Sequence, residues 1–216
     1  MVRLENRRAA GRELATKLAQ YAGRDDTVVL ALPRGGVPVA FEVARALDAP
    51  LDVLLVRKLG FPRREELAMG AIAAGGIAVL NEELIRELGV TPREVGAAIL
   101  REQEELDRRE RLYRSGPPLP VRGKTVLLVD DGLATGSTMR AATVALRRLG
   151  AARIVVAAPV GARETCQSLG DCAEEVVCAH SPSPFVGVGE WYDDFAQTGD
   201  DEVRALLSAA RVEAHG

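Results

Sequence analysis

A segment of 13 residues, Val126–Thr138, constrains the fold of this chain more strongly than any other part of the sequence. Four apolar residues come first, Asp130 and Asp131 follow, and small and hydroxyl residues then lead into a helical pattern. An uninterrupted apolar run of this kind is typical of a strand buried on both faces of a parallel sheet. Ligands of open parallel sheets bind beyond the carboxyl ends of the strands, so the two aspartates mark a candidate binding site.

Apolar runs and helical patterns alternate along the rest of the chain. We predict strands at residues 27–32, 51–56, 124–129, 153–160 and 174–179. We predict helices at residues 4–21, 37–47, 82–88, 91–113, 137–149, 162–169 and 200–210. This order favours an α/β fold with a mainly parallel central sheet flanked by helices. On the helix at 91–113, a solvated face is predicted for Arg101, Glu104, Glu105, Arg108 and Arg109.

Two segments interrupt the alternation. Residues 57–69 are charged, contain Gly60 and Pro62, and lack periodicity, which predicts a long loop. A hairpin is predicted immediately after it, over residues 69–80. Residues 181–198 also break the pattern and hold the one Trp of the chain.

Charge and hydropathy exclude several kinds of partner. The chain has 216 residues, which suits one domain, and its 28 basic and 31 acidic residues are well mixed. Without a basic block, we expect no nucleic-acid partner. No apolar run approaches the roughly 20 residues of a membrane span, and the polar start lacks an apolar signal core. We therefore expect one cytoplasmic domain over residues 1–216 with no membrane partner, and a homodimer is left open.

The three cysteines, Cys166, Cys172 and Cys178, are spaced six residues apart. This spacing is not that of a metal site, and an odd number argues against a disulfide framework. We expect all three to be small buried hydrophobic residues. For His180 we expect a structural role.

Each part of the 126–138 segment suits one part of a sugar phosphate. Adjacent carboxylates are wrong for a phosphate but accept strong hydrogen bonds from the vicinal hydroxyls of a sugar. A helix N-terminus offers unpaired N–H groups and a partial positive charge to a phosphate dianion. Gly132 and Gly136 allow the backbone to approach closely, and three hydroxyl side chains add donors. The segment lacks the Lys of a P-loop and the three spaced glycines of a dinucleotide-binding fingerprint.

The same segment resembles the 13-residue signature for 5-phosphoribosyl-1-pyrophosphate (PRPP) in the type I phosphoribosyltransferases. All thirteen positions fit, and the order of elements supports the resemblance over roughly residues 25–180. The resemblance implies that the two aspartates bind the ribose hydroxyls and that residues 134–138 hold the 5-phosphate. The implied PRPP contacts here are Asp130, Asp131, Gly132, Leu133, Ala134, Thr135, Gly136, Ser137 and Thr138.

Two further pieces look like the family's pyrophosphate site. The turn after the first strand, formed by Pro33, Arg34, Gly35 and Gly36, is similar to the pyrophosphate-binding loop. In the family, the peptide bond before the residue that matches Arg34 is a cis bond without proline, which maps here to Pro33–Arg34.

After the second strand, Arg57 and Lys58 resemble family cations that approach the pyrophosphate, and residues 57–70 match the flexible catalytic lid. Arg63 and Arg64 on this lid either reach the leaving group or are only solvated.

Residues 181–199 lie where the family carries its hood, the element above the acceptor. The residues assigned to the acceptor are Phe185, Trp191, Tyr192 and Asp194. The aromatic rings would provide stacking faces, and Asp194 is also the candidate general base. The alternative is that this segment is a small hydrophobic cap on the edge of the sheet.

The resemblance implies transfer of a phosphoribosyl group from PRPP to a nitrogen acceptor, a nucleobase, with release of pyrophosphate. Arg34, Lys58, Asp130 and Asp131 are the expected catalytic residues, and Mg²⁺ is the expected cofactor. The metal would be held by either aspartate, directly or through water. Where 6-oxopurine enzymes carry an Asp general base, this chain has Ala134. Alanine cannot transfer a proton, which disfavours a hypoxanthine or guanine acceptor.

Two other functions stay open. The fold could serve a non-enzymatic regulator that senses PRPP or a nucleotide, although a pyrophosphate loop and a lid favour catalysis. The chain could also transfer the phosphoribosyl group to an acceptor other than a base, such as a sugar or an amine.

Overall fold

A computed structural model of the chain describes residues 3–61, 64–73, 76–114 and 116–213, with the backbone alone for residues 64–67, 77 and 213. The helices are α1 (Arg7–Lys17), α2 (Gly36–Leu47), α3 (Glu82–Glu87), α4 (Pro92–Tyr113), α5 (Ser137–Leu149), α6 (Arg163–Leu169) and α7 (Asp200–Glu213). The strands are β1 (Thr27–Ala31), β2 (Leu51–Val53), β3 (Val56–Phe61), β4 (Arg64–Ala73), β5 (Ile77–Leu80), β6 (Thr125–Val129), β7 (Arg153–Val160) and β8 (Glu175–His180).

The central sheet is parallel, as predicted, with the strand order β2-β1-β6-β7-β8. Ala31 at the end of β1 pairs in register with Val129 at the end of β6, which in turn pairs with Ala157 of β7. The carboxyl ends of β1 and β6 are therefore level. Because of this register, the turn after β1 and the aspartates after β6 leave the sheet side by side.

Both faces of the central sheet are covered by helices, so its inner strands β1, β6 and β7 are buried except at Arg153, the first residue of β7. Alternate residues of the strands enter two separate cores, with Val29 and Leu127 in one and Val28 and Val126 in the other. Helices α1, α2 and α7 contribute to the first core, and α5 and α6 contribute to the second. This burial on both faces explains the uninterrupted apolar runs in the sequence.

A second, antiparallel sheet contains β3, β4 and β5. The predicted loop at 57–69 is therefore wrong for the described residues, since Leu59 and Met69 are fully buried in strands β3 and β4. The pairing of β3 with β4 shifts register around Gly60, and this irregularity breaks the two-residue period that predicts a strand. The predicted strand at 51–56 is also split, since β2 ends at Val53 and Val56 begins β3 in the second sheet.

The cysteine prediction is wrong for one pair. Cys166 on α6 and Cys178 on β8 form a disulfide, and Cys172 is free. Parity and spacing cannot reveal this pair, because the packing of a helix on a strand brings it together. Nε2 of His180 lies 2.6 Å from Oε1 of Glu13 on α1. Within the described residues, no helix combines the length and the hydropathy needed to cross a membrane.

Candidate active site at the carboxyl end of the sheet

The turn after β1 and the aspartates after β6 lie in direct contact. A Cβ built on Gly35 would overlap Oδ2 of Asp131, and a Cβ on Gly36 would lie 2.8 Å from the carbonyl oxygen of Val129. Side chains larger than hydrogen do not fit at either position. Two motifs that are almost 100 residues apart in the sequence, by the numbering, thus form one surface.

The two aspartates are partly buried and differ in their surroundings. The backbone N–H of Asp131 donates a 2.8 Å hydrogen bond to Oδ1 of Asp130. Burial, together with the adjacent carboxylate of Asp131, raises the pKa of Asp130 well above its usual value. Asp131 instead lies beside a cation, so the two carboxyl groups differ in their electrostatic surroundings.

That cation is Arg7, the first residue of α1, and it was not predicted from the sequence. Its Nε lies 2.8 Å from Oδ2 of Asp131, and the two side chains are only 11% and 16% exposed. The residues are separated by 124 positions. No local pattern could have connected them, because α1 reaches the site only through its packing on α2 and the sheet.

The segment that precedes α5 presents backbone N–H groups at an exposed helix N-terminus. Gly136 precedes the helix with a φ of 71°, a left-handed conformation that favours glycine. The hydroxyl of Thr165 on α6 donates a 2.6 Å hydrogen bond to the carbonyl of Ala134. Leu133 is buried, and its N–H donates to the carbonyl of Val160, so this residue anchors the loop to β7. The exposed residues around it provide donors suited to a phosphate.

A cavity of about 670 Å³ joins three of the predicted motifs. Pro33 from the β1 turn, Arg57 and Lys58 from β3, and Thr138 from α5 all line it. Cations from one element and a helix N-terminus from another therefore face the same space. Such an arrangement suits an extended anion.

Helix α4 forms another wall of this cavity through Arg101, Glu102 and Arg109. Glu102 is buried, and its Oε2 accepts a 2.9 Å hydrogen bond from Nε of Arg57. Of the residues predicted to form a solvated face on α4, Arg101 is exposed, whereas the neighbouring Glu102, which that prediction did not include, is buried. The pattern of the helix alone does not tell which charges face another element.

Arg34 lies on the same turn, after a cis Pro33–Arg34 peptide bond, as the family resemblance implies. Its Nη1 lies 3.7 Å from Oδ1 of Asp200 at the start of α7. The phenol of Tyr113, at the end of α4, donates a hydrogen bond to the same carboxylate. Burial and this hydrogen bond raise the pKa of Tyr113 to about 12. Asp200 thus links the turn to two helices.

Two of the rings assigned to the acceptor are buried, which does not match their predicted role as stacking faces. Trp191 is 8% exposed and packs in a small core with Leu4 and Val160. Tyr192 is 2% exposed, its hydroxyl donates a 2.7 Å hydrogen bond to the backbone carbonyl of Asp131, and burial raises its pKa.

The N-terminal segment causes this burial. The N–H of Leu4 donates to the carbonyl of Trp191, and the N–H of Asp193 donates back to Leu4, each at 2.8 Å. The alternative prediction of a hydrophobic cap describes Trp191 and Tyr192 better than an open hood does. The pairing depends on residues nearly 190 positions apart by the numbering, so the local sequence does not reveal it.

The other two acceptor candidates are more exposed. The ring of Phe185 stacks on Trp191, with centroids 6.5 Å apart. Asp194 is exposed, and its Oδ1 accepts a 2.9 Å hydrogen bond from the N–H of Ala196. Arg63 lies outside the described residues, as does the side chain of Arg64. The choice between contact with the leaving group and a solvated position therefore stays open for both.

The family model of the phosphoribosyl transferase domain matches residues 2–179. The chain belongs to this family. The motifs that meet at the carboxyl end of β1 and β6 are therefore those of a phosphoribosyl transferase domain.

Relatives of this phosphoribosyl transferase domain include a Mycobacterium tuberculosis (strain ATCC 25618 / H37Rv) protein with a provisional phosphoribosyl transferase name. It is 47% identical over 207 residues, which cover 95% of this chain and 46% of that protein. The chain thus spans about half the length of the curated relatives it matches first. An adenine phosphoribosyltransferase of Mycobacterium marinum is 37% identical over 124 residues, covering 55% of this chain and 62% of that enzyme.

Among solved structures, the protein TT1426 from Thermus thermophilus superimposes with a TM-score of 0.86. The two chains are 41% identical, and the match covers 95% of this chain and 98% of that one. The α/β architecture of the phosphoribosyl transferase domain is therefore shared over nearly the full length of both chains.

Proposed function

We propose that this domain transfers a phosphoribosyl group from PRPP to a nitrogen nucleophile and releases pyrophosphate. The observation that carries the proposal is the contact between the Gly35 turn and Asp131 at the level carboxyl ends of β1 and β6. This contact supports the proposal because it brings two carboxylates, which can accept hydrogen bonds from a diol, beside a turn suited to an anion. A sugar with phosphate groups at both ends requires these features together.

The donor would bind along this surface in three parts. Asp130 and Asp131 accept hydrogen bonds from the ribose hydroxyls. The N–H groups before α5, with Ser137 and Thr138, hold the 5-phosphate at the positive end of the helix. The pyrophosphate extends into the cavity that Arg57 and Lys58 line.

The chemistry breaks the bond between C1′ and the pyrophosphate oxygen and forms a bond between C1′ and the acceptor nitrogen. Negative charge grows on the pyrophosphate as it leaves, and Arg34 and Lys58 stabilise it. Asp194 is the candidate base for the proton of the acceptor nitrogen. Water must be excluded, because it would compete for an oxocarbenium-like C1′.

The donor atoms at this site fit Mg²⁺, which prefers oxygen ligands and keeps several waters. One oxygen of each aspartate already accepts a hydrogen bond, from the N–H of Asp131 to Asp130 and from Arg7 to Asp131. Either aspartate would therefore offer its other oxygen to the metal, directly or through water. Within the described residues, no group of three or more His, Cys, Asp or Glu side chains could hold a metal. Most ligands would therefore come from PRPP and water, and the bound ion would offset charge on the pyrophosphate.

We further propose that the acceptor is a nucleobase other than a 6-oxopurine. Ala134 stands where those enzymes place an Asp, and its carbonyl accepts the hydrogen bond of Thr165. The relative from Mycobacterium marinum, which is named as an adenine enzyme, supports this direction. Residues 181–199 also contain Phe195, which is exposed. Since Trp191 and Tyr192 are buried, Phe185 and Phe195 are the rings of this segment left to contact such a base.

The test is to incubate the protein with PRPP, Mg²⁺ and a panel of bases, sugars and amines and to measure pyrophosphate release. We expect turnover with at least one nitrogenous base. The double variant Asp130→Asn with Asp131→Asn should lose PRPP binding in a calorimetric titration. Asp25→Asn with Asp171→Asn is the matched control, because both of these aspartates are exposed and distant from the site.

Each result separates the candidate functions. PRPP binding without turnover on any acceptor would favour the sensing regulator over the enzyme. Turnover with a sugar or an amine, and with none of the bases, would show that the acceptor is not a nucleobase. If the wild-type protein does not bind PRPP, or if the double variant binds it equally well, the proposal is wrong.

A further inference from the structure

We propose that Arg7 is a positioning residue that holds the carboxylate of Asp131 in the orientation that binds a ribose hydroxyl of PRPP. The inference rests on the proposed function and adds a residue outside the motifs that predicted it. Arg7 would act through Asp131 and through the segment after Tyr192, without touching the reacting atoms.

The first observation is the ion pair itself. Nε of Arg7 lies 2.8 Å from Oδ2 of Asp131, and both side chains are more than four-fifths buried. No hydrogen bond from the described residues reaches Oδ1, so this oxygen can accept one from a ligand. A charge-assisted hydrogen bond to one oxygen fixes the rotation of the carboxylate and therefore the direction of the other oxygen.

The second observation is that the guanidinium of Arg7 is itself held on two further sides. Its Nη1 donates a 2.6 Å hydrogen bond to the carbonyl of Ala196. Its Cζ lies 3.9 Å from the centroid of the Phe195 ring, a distance typical of a cation–π contact. Three contacts thus fix the orientation of the guanidinium group, and the guanidinium group in turn orients the carboxylate of Asp131.

The third observation is that Asp131 needs such a constraint. Its carboxylate lies against Gly35, next to the acidic side chain of Asp130, and must face a substrate that carries phosphate at both ends. Tyr192 fixes only the backbone carbonyl of Asp131, through a 2.7 Å hydrogen bond. Arg7 orients the side chain and also offsets negative charge that would repel PRPP.

Arginine is suited to this role in a way that lysine is not. The planar guanidinium donates in two directions while one face remains free to lie on an aromatic ring. A lysine at position 7 would keep the charge but could not reproduce the three contacts together. The substitution Arg7→Lys therefore removes the fixed orientation of the side chain while it keeps the positive charge.

The experiment compares Arg7→Lys with the wild-type protein by calorimetric titration, using PRPP and inorganic pyrophosphate as separate probes in the presence of Mg²⁺. We expect the Kd for PRPP to rise about tenfold, the size of one lost charge-assisted hydrogen bond. The Kd for pyrophosphate should stay unchanged, because the cavity lined by Arg57 and Lys58 does not include Arg7. A disruption of the whole fold would weaken both probes.

The matched control is Arg12→Lys on the same helix. Arg12 is 55% exposed and lies 3.8 Å from Glu42, away from Asp131. Its replacement should leave both Kd values unchanged. Arg7→Gln is the second variant, to be used if Arg7→Lys does not fold, and it should also weaken PRPP binding selectively.

The outcomes are distinct from those of the proposed function. If the wild-type protein does not bind PRPP, the proposed function fails and the role of Arg7 fails with it. If the wild type binds PRPP and Arg7→Lys binds it equally well, only the positioning role is wrong. Equal weakening for both probes, or failure of both Arg7 variants to fold, would make Arg7 a structural residue and would also overturn the inference.

Discussion

Gly35 leaves open the space that the carboxylate of Asp131 occupies. The two residues belong to different βα connections, and they meet because β1 and β6 are neighbours with level carboxyl ends. A methyl group on Gly35 would overlap Oδ2 of Asp131 and would lie 3.2 Å from Nε of Arg7. The absence of a side chain at one residue thus permits the orientation of a charged group at the other.

We predict that Gly35→Ala displaces the Asp131 carboxylate. Overpacking at such a contact should lower the free energy of unfolding by about 1–3 kcal/mol and weaken PRPP binding at least tenfold, as roughly 1.4 kcal/mol corresponds to a factor of ten. Urea unfolding and calorimetric titration measure the two effects.

The control for this substitution is Gly96→Ala in α4, where a Cβ would meet no atom within 4 Å. Alanine in a helix should stabilise the protein there by about 0.5–1 kcal/mol and leave PRPP binding unchanged. Unaltered PRPP affinity in Gly35→Ala would contradict the close packing of Gly35 on Asp131.

The hydrogen bond from Thr165 to the carbonyl of Ala134 should contribute to 5-phosphate binding. Thr165→Val removes the hydroxyl and keeps the shape of the side chain, so the loop before α5 loses one tether. We expect the affinity for ribose 5-phosphate to fall about fivefold, equivalent to about 1 kcal/mol.

Thr16→Val is the matched control, since the Thr16 hydroxyl also donates to a backbone carbonyl but lies exposed on α1. Calorimetric titration of both variants with ribose 5-phosphate measures the change in affinity. An equal loss of affinity in both variants, or no loss in Thr165→Val, would show that α6 does not support the loop before α5.

Glu105 on α4 should contribute stability that depends on pH. Hydrogen bonds from Arg108 and then Arg109 lower the pKa of Glu105 to about 2, against an ordinary value of 4.5. A carboxyl group whose pKa is lowered by folding stabilises the protein above its unfolded pKa, and this stability is lost as the pH falls towards the folded pKa.

The corresponding variant is Glu105→Gln. It should be less stable than the wild type at pH 7 by about 0.5 kcal/mol, since Arg108 is 53% exposed and solvent screens its interaction with Glu105. The difference should shrink as the pH falls from about 4.5 towards about 2. Urea unfolding at several pH values measures it, with Glu104→Gln at an exposed position of the same helix as the control. A difference that does not depend on pH would exclude an ionic origin.

The disulfide between Cys166 and Cys178 predicts the thiol content of the protein. A thiol titration in denaturant should find one free thiol, Cys172, without a reductant and all 3 cysteines after reduction. Replacing Cys166 by serine should lower the free energy of unfolding by about 2–4 kcal/mol under non-reducing conditions. Cys172→Ser should change it much less. Three free thiols before reduction would contradict the bond.

Local sequence patterns were sufficient to predict the parallel sheet and to place the two aspartates of the candidate site at the end of one of its strands. Uninterrupted apolar runs predicted β1, β6 and β7, because a strand covered on both faces has no polar side. Helix α4, predicted over residues 91–113, begins with a capping box formed by Thr91 and Glu94. Asp130 and Asp131 lie at the end of β6, where the level carboxyl ends of parallel strands place a ligand site.

Only the tertiary structure decided which distant side chains meet at that site. Arg7 reaches Asp131 across 124 positions, the N-terminal segment buries Trp191 and Tyr192, and α4 brings Glu102 to Arg57. Periodicity, capping and turn residues encode the elements, because these signals arise between residues close in the chain. Contacts between elements depend on how the elements pack, and no short-range pattern contains that information. The sequence by itself therefore determined the strands, the helices and the motifs at the carboxyl end of β6, and packing determined which distant residues contact those motifs.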